Sequence, residues 1–385
     1  MHRSYRSLLF TLKSAKMSSH TSVITRTVAL LCVLTFLAGS GLFAYDDVST
    51  KFAPGLMKIF SSREGAGFSS KYSPEDAAPC FIVYMKGKPD IPLKKSMSRL
   101  EYRRAVVRSM KENAVKSQAA LIVLLKQLQS EGRVKAWQSF FSANCAAVEG
   151  DLYSAEKIAE LDSVRIVTPN YRVRQSPVIQ KKSPTPEKSD SRISAYNWNV
   201  DVLDAERVWS DFGVTGEGVV MASIASGVEW EHPALKNSYR GWDGENASHD
   251  YNWFNPDGEL HGDDFGASVT DEPADAGELG TFTMGCAVGD GQTINTSIGV
   301  APGAEWITVT PNGLQTAGTF RDDIMMHKCF QWLLAPTDLS GTADTADSSF
   351  APDVVFCAFS TMNPYDETFR ENIQSLRQAG IFVAA

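Results

Sequence analysis

The chain has 385 residues and a net charge of −8, with 43% hydrophobic and 21% charged residues. That composition excludes a disordered, collagen-like or coiled-coil protein, and it leaves no broad basic field for nucleic acid. Six cysteines are too few for a disulfide scaffold in a chain of this length, and no C-x-x-C pair proposes a zinc site.

The first 27 residues carry Arg3, Arg6, Lys13, Lys16 and Arg26 and no acid. An apolar run, Val28 to Leu37, follows, and small residues lead to Ala44. A basic start, a short apolar core and a small-residue exit describe a secretory signal over residues 1–44. The alternative is an uncleaved anchor, and only in that case does the membrane become a partner. The run from Val28 to Ala44 is 17 residues, short of the roughly 20 that a span requires, and Thr35, Gly39, Ser40 and Gly41 break it. Either way the remainder is expected outside the cytoplasm, secreted or periplasmic. Cys80, Cys145, Cys286, Cys329 and Cys357 are an odd set, so an oxidising compartment leaves at least one unpaired.

Residues 45–79 show no clear period and read as an N-terminal extension. Cys80 to Met85 reads as a strand, and Ser98 to Gln129 as a long amphipathic helix closed by Gly132. Val134 to Val148 is strand-like, Ser154 to Leu161 helical, and Val164 to Val167 a strand. Residues 80–172 thus form a small α+β domain. Residues 173–195 hold Pro177, Pro184, Pro186, Lys181, Lys182 and Lys188 among serines, the composition of an exposed linker.

From Tyr196 onward, short apolar strands (219–224, 306–309, 354–359, 381–385) alternate with helical stretches (282–288, 322–334, 368–379). That alternation predicts an α/β fold with a doubly wound parallel sheet. No Gly-x-Gly-x-x-Gly, Walker or His-Glu-x-x-His pattern accompanies the strands.

Several segments of this half carry a resemblance. Trp198 to Trp209 is followed by Gly216 to Ile224, Gly227-Val228, His232-Pro-Ala-Leu235, Ile298 to Ala304 and Ala351 to Val355. In this order they resemble the subtilisin-like serine proteases, most closely the bacillopeptidase F-like branch. Residues 80–172 resemble the inhibitory, chaperone-like propeptide of those enzymes. The resemblance covers about two thirds of the chain. It implies that residues 196–385 are the N-terminal half of a subtilisin-like domain. It also implies a Ser-His-Asp triad, in which a base activates the serine, a carboxylate orients the imidazole and donors stabilise the oxyanion.

The triad positions depart from that pattern. The family's Asp-[Ser/Thr]-Gly reads Ala225-Ser226-Gly227, and a methyl group accepts no hydrogen bond. Glu229, the nearest acid, reads as surface. The family's His-Gly-Thr-His reads Leu279-Gly280-Thr281-Phe282, so both histidines are gone. His261-Gly262 reads as loop, His232 as part of a structural turn, and His327 as packing or surface within a helix. No Gly-Thr-Ser-Met-Ala segment is present, and Gly341-Thr342-Ala343 lies in a polar loop. The last residues, Ile381 to Ala385, resemble the strand that leads to the family's oxyanion asparagine, so the sheet reads as C-terminally incomplete. In the family's substrate-binding strand the residues are Phe356-Cys-Ala-Phe-Ser360; Phe359 persists as a wall of the substrate pocket, and Ser360 stands in place of glycine.

Residues 255–278 contain eight acids and no Lys or Arg. Clustered oxygens suit calcium, but the spacing fits no known loop, and the segment reads as a solvated surface loop with no cofactor. The expected function is that of a secreted subtilase homologue without catalysis. Two rivals are a serine endopeptidase with displaced or externally supplied catalytic residues, and a module that binds or inhibits other proteases. The expected partners are a complementing C-terminal polypeptide or other proteases.

Overall fold

Ser98 shows how this sequence starts its longest element. Its hydroxyl accepts from Glu101 N at 3.2 Å, and Glu101 Oε2 accepts from Ser98 N at 2.8 Å, a reciprocal cap that satisfies two helix-end donors. The helix runs 32 residues, Arg99–Ser130, and ends before Gly132, whose φ of 72° suits a residue without Cβ. The computed structural model describes residues 48–61, 79–174, 198–275, 277–291, 298–311, 320–359 and 367–384. The segment read as a signal and most of the segment read as linker lie outside the described residues.

In chain order the elements are α1 (Leu56–Ser61), β1 (Cys80–Met85), α2 (Arg99–Ser130), β2 (Val134–Phe140), β3 (Cys145–Gly150), α3 (Leu152–Ala159), β4 (Val164–Pro169) and β5 (Arg172–Arg174). Then follow α4 (Trp198–Val202), α5 (Ala205–Phe212), β6 (Val220–Ile224), β7 (Trp253–Phe254), α6 (Leu279–Val288), β8 (Glu305–Val309) and β9 (Phe320–Asp322). The last are α7 (Asp323–Leu334), β10 (Val354–Cys357), α8 (Arg370–Gln378) and β11 (Phe382–Ala384).

The stretch 134–148 is not one strand. Asn144, at φ 45°, reverses the chain between β2 and β3, and its amide is held by Ser117 and Gln118 of α2. The β1–β4 strands form an antiparallel sheet in the order β2-β3-β1-β4. One face, with Phe81, Val83 and Val148, packs on Leu121, Leu125 and Leu128 of α2 and on α3. Leu56 of α1 joins this core, so the aperiodic extension contributes to it. The opposite face, Ile82, Tyr84, Phe140 and Ala147, packs on Ile324 of α7. Alternate residues of β1 therefore serve two cores.

The second sheet, β11-β10-β6-β8-β7, is parallel throughout. Helix α6 lies with Trp306, Met284 and Val288 on one face, and α7 and α8 lie on the other. Helices on both faces explain why these strands are apolar runs. The chain is thus an α/β protein with a doubly wound parallel sheet and a small antiparallel α+β sheet before it. Every residue of α7 is buried, because sheets flank it on two sides. The two-residue strand β7 was too short to register in the sequence. The segment read as linker begins inside β5, where Val173 and Arg174 pair antiparallel with β9.

The two sheets are joined by one continuous core. Val106, Val107 and Met110 of α2 pack with Ile224, Val309, Phe330, Trp332 and Val355 of the parallel-sheet half. Arg103 of α2 is 4% exposed. Its guanidinium donates to Ala351 O at 2.6 Å and pairs with Asp353 Oδ1 at 3.1 Å. Asp353 in turn accepts Val220 N at 3.1 Å, at the start of β6. Ser375 of α8 donates to Ser142 O at 2.6 Å, and Gln331 of α7 accepts Phe141 N at 2.7 Å. Burial holds the Arg103 guanidinium below its usual range, although Asp353 opposes the shift.

All five of Cys80, Cys145, Cys286, Cys329 and Cys357 are free thiols. Burial pushes the Cys357 thiol up to about 12. Among the described residues no helix is long and apolar enough to cross a membrane.

Breaking a buried pair by removing one partner costs about 3–5 kcal/mol. Arg103→Ala is therefore expected to lower the unfolding free energy of the whole chain by that amount in urea titrations. A loss below about 1 kcal/mol, the worth of an exposed pair, would remove Arg103 from this role.

Candidate functional site

The end of β6 and the start of α6 meet closely. Gly227 has a φ of 104°, and a Cβ there would strike the carbonyl of Ala274. A Cβ on Gly280 would strike the carbonyl of Gly227 and lie 3.2 Å from the Cβ of Ala225. The two glycines permit this approach, and it places Ala225 beside the first turn of α6, which Leu279 opens. Ala225 is buried, and its N–H donates to Val309 O at 3.3 Å. Glu229 is exposed, as expected.

Sequence reading missed the residue that organises this place. Asp275 Oδ1 accepts Ser226 Oγ at 2.7 Å and Gly277 N at 3.0 Å. Its other oxygen accepts Thr281 N at 2.8 Å and Thr281 Oγ1 at 2.6 Å. Ser226 Oγ then accepts Gly280 N at 3.0 Å. A carboxylate thus caps α6 from six residues away, where the N-cap position, Glu278, has φ 61° and makes no side-chain cap. The network contains no imidazole, and both oxygens of Asp275 are occupied by fixed donors. It holds a loop to a strand end and offers no base to a nucleophile. The signal for it was in the sequence only as an acid five residues before the Gly-Thr pair, among eight acids of one segment.

That segment is corrected in part. Asp275 and Asp257 are structural, whereas Asp263, Asp264, Asp271 and Glu272 are exposed. Asp257 pairs with Nε2 of His261 at 2.8 Å and with Nζ of Lys328 at 3.1 Å. Lys328 is fully buried on α7 and also donates to the Asp257 and Glu259 carbonyls. Burial raises the Asp257 carboxyl, but the His261 and Lys328 donors outweigh it and hold it below the usual range. Among the described residues no group of three or more His, Cys, Asp or Glu is placed to hold a metal.

His261 lies on the segment between β7 and α6. Gly262 next to it pairs with β2, donating to Trp137 O at 2.7 Å and accepting from Ser139 N at 2.8 Å. His232 closes its own turn, its Nδ1 accepting Ala234 N at 3.2 Å. His327 is buried against Tyr84, whose hydroxyl is 3.0 Å from Nε2, and against Phe140 and Phe369. Gly341-Thr342 lies in the loop whose Gly341 carbonyl accepts Phe265 N. Phe359 is half-buried and meets Phe369 edge-on at 6.3 Å, at the margin of the main core. The structure therefore places Ala225 against Gly280 in the first turn of α6 and leaves His232, His261 and His327 in separate structural roles.

The fold is that of an α/β protein with a parallel sheet, in which Ala225 at the strand end and Leu279 at the helix start are apolar. No protein-family profile matches the chain. Bacillopeptidase F of Bacillus subtilis (strain 168) is 33% identical over 347 residues, covering 88% of this chain and 23% of that protein. The chain thus spans about a quarter of the length of that relative. Fervidolysin from Fervidobacterium pennivorans, a keratinolytic enzyme related to subtilisin, superposes with a TM-score of 0.42 at 14% identity, over 83% of this chain and 40% of its own. The epidermin leader peptide processing serine protease of Staphylococcus aureus gives 0.45 at 12% identity, over 79% and 58%. On the sequence kinship, the chain is a bacillopeptidase F homologue and belongs to the subtilisin-like family.

Two outcomes follow from the carboxylates. A double-mutant cycle with Ser226→Ala and Asp275→Ala is expected to give a coupling of about 0.5–3 kcal/mol in stability, and additivity would mean that the two do not interact. Asp257, depressed in the folded state, contributes stability that is present above its unfolded value of about 4 and lost as pH falls through the lower folded value. Asp257→Asn is therefore expected to flatten the acid limb of a stability-against-pH curve. An unchanged limb contradicts the assignment.

Proposed function

We infer that this is a secreted subtilase-family protein without peptidase activity. The observation that carries the reading is the contact between the end of β6 and the start of α6, occupied by Ala225 and Leu279 and locked by Ser226, Asp275 and Thr281. A methyl group and an isobutyl group transfer no proton, and loss of triad members costs several orders of magnitude in rate. The argument holds whatever polypeptide follows residue 385, because the acid and the base are read from this chain. Secretion rests on the basic start and apolar run before Ala44.

Residues 80–172 would act as a propeptide-like domain that stays in place. Support comes from the shared core and from the β5–β9 pairing, which occupies the free edge of β9 with the chain's own segment. An enzyme reading with displaced residues is less favoured, because His261 is engaged by Asp257 against Lys328. A module acting on other proteases would have to expose a face that α7 and α8 now cover.

Neither a metal nor an organic cofactor is proposed.

The test is a fluorophosphonate probe on the purified chain beside an active subtilisin-type enzyme, with casein as substrate. No labelling and no hydrolysis are expected. Stoichiometric labelling of a serine of this chain would overturn the inactive reading.

A further inference from the structure

We propose that the outer face of α2 is a docking groove for a short acidic peptide segment of a partner protein. The groove, of about 540 Å³, runs between α2 and residues 346–348 of the parallel-sheet half, so it exists only where the two halves are joined. Its volume lies in the range of built ligand sites. Arg104, Arg108, Lys111 and Lys116 line it, around an apolar floor of Val107 and Val115. Val115 is 72% exposed, an isolated apolar side chain on a cationic face.

Three observations point to an anion. First, four cations, at 104, 108, 111 and 116 on one helix face, outnumber the two carboxylates of the groove, Glu112 and Asp347. Second, Arg104, Arg108, Lys111 and Lys116 make no close ion pair among the described residues, and Arg104 and Lys111 only help hold the Asp347 carboxyl low, although close ion pairs occur elsewhere on the surface. Lys111 is instead set 5.4 Å from the ring of Phe141, and burial lowers its ammonium. Third, the chain carries a net charge of −8, so this patch is a local reversal of sign that steers an anionic partner.

The chemistry narrows the occupant. Glu112 and Asp347 also line the groove, and Asp347 is committed to capping Ser349 N at 2.8 Å. A dense polyanion would meet both carboxylates. Inorganic phosphate would leave Val107 and Val115 uncovered. A peptide alternating carboxylates with an apolar residue meets the surplus cations and covers the floor. The proposal is independent of whether the chain hydrolyses peptides.

The probe is a fluorescein-labelled octapeptide, Glu-Asp-Leu-Glu-Asp-Leu-Glu-Asp, titrated with the full chain by anisotropy. Binding is expected, weakening as salt rises from about 50 to 500 mM. The variant Arg104→Ser with Arg108→Ser is expected to raise Kd about tenfold or more, and Lys116→Glu to do so alone, with unchanged thermal melts. All three side chains are exposed, so folding is not at stake. A Gln/Asn version of the peptide that binds equally well overturns the proposal, as does a double variant that binds like the parent. Tighter binding of a heparin hexasaccharide than of the peptide would assign the face to a polyanion and also overturn it.

Discussion

Arg103 and the three apolar residues that follow it on α2 are the constraint on which the rest depends. A guanidinium taken out of water must be met by acceptors, and the main-chain carbonyl of Ala351 and the carboxylate of Asp353 meet it. Asp353 is also tied to the first strand of the parallel sheet. One ion pair therefore fixes the helix of one half to the strand ends of the other. Burying Val106, Val107 and Met110 beside it is worth roughly 5 to 9 kcal/mol together, at about 1.5–3 kcal/mol each. Folding margins are about 5–15 kcal/mol. The parallel sheet thus has little stability to spare without α2, and the antiparallel sheet cannot leave without exposing a core.

The same logic applies at the end of β6. A catalytic pair requires a buried carboxylate facing an imidazole, and both must remain partly unsatisfied until substrate arrives. In the function proposed for this chain Ala225 and Leu279 stand where that pair would be, and Asp275 accepts from Ser226, Gly277 and Thr281. Gly227 and Gly280 keep the two backbones in close contact. The polar groups at this place, Ser226, Asp275 and Thr281, are turned inward to cap a helix.

Much of this was legible from the residues. The apolar runs at 219–224, 306–309 and 354–359 were strands because their side chains meet helices on both faces, and the long helix carried its own cap in Ser98 and Glu101. Ala225 and Leu279 were singled out by a resemblance, and the close approach of Gly280 to Ala225 and Gly227 puts the helix start beside the strand end. Three things were not legible. The reversal at Asn144 depends on a left-handed residue supported by Ser117 and Gln118, 27 and 26 positions earlier. The roles of Asp257 and Asp275 depend on tertiary partners that a run of acids does not announce. The sharing of one core by two halves depends on which stripe of α2 faces which sheet, and both stripes have the same period.

Hydrogen exchange measured by mass spectrometry on the full chain tests this dependence most directly. If α2 joins the two sheets into one unit, the slowest amides of residues 103–112, of β1 and β3, and of β6 and β10 will exchange with the same free energy of opening, and they will shift together in Arg103→Ala. If instead the amides of β1 and β3 open at a distinctly lower free energy while β6 and β10 stay protected, the halves unfold independently, and the account of a single shared core is wrong.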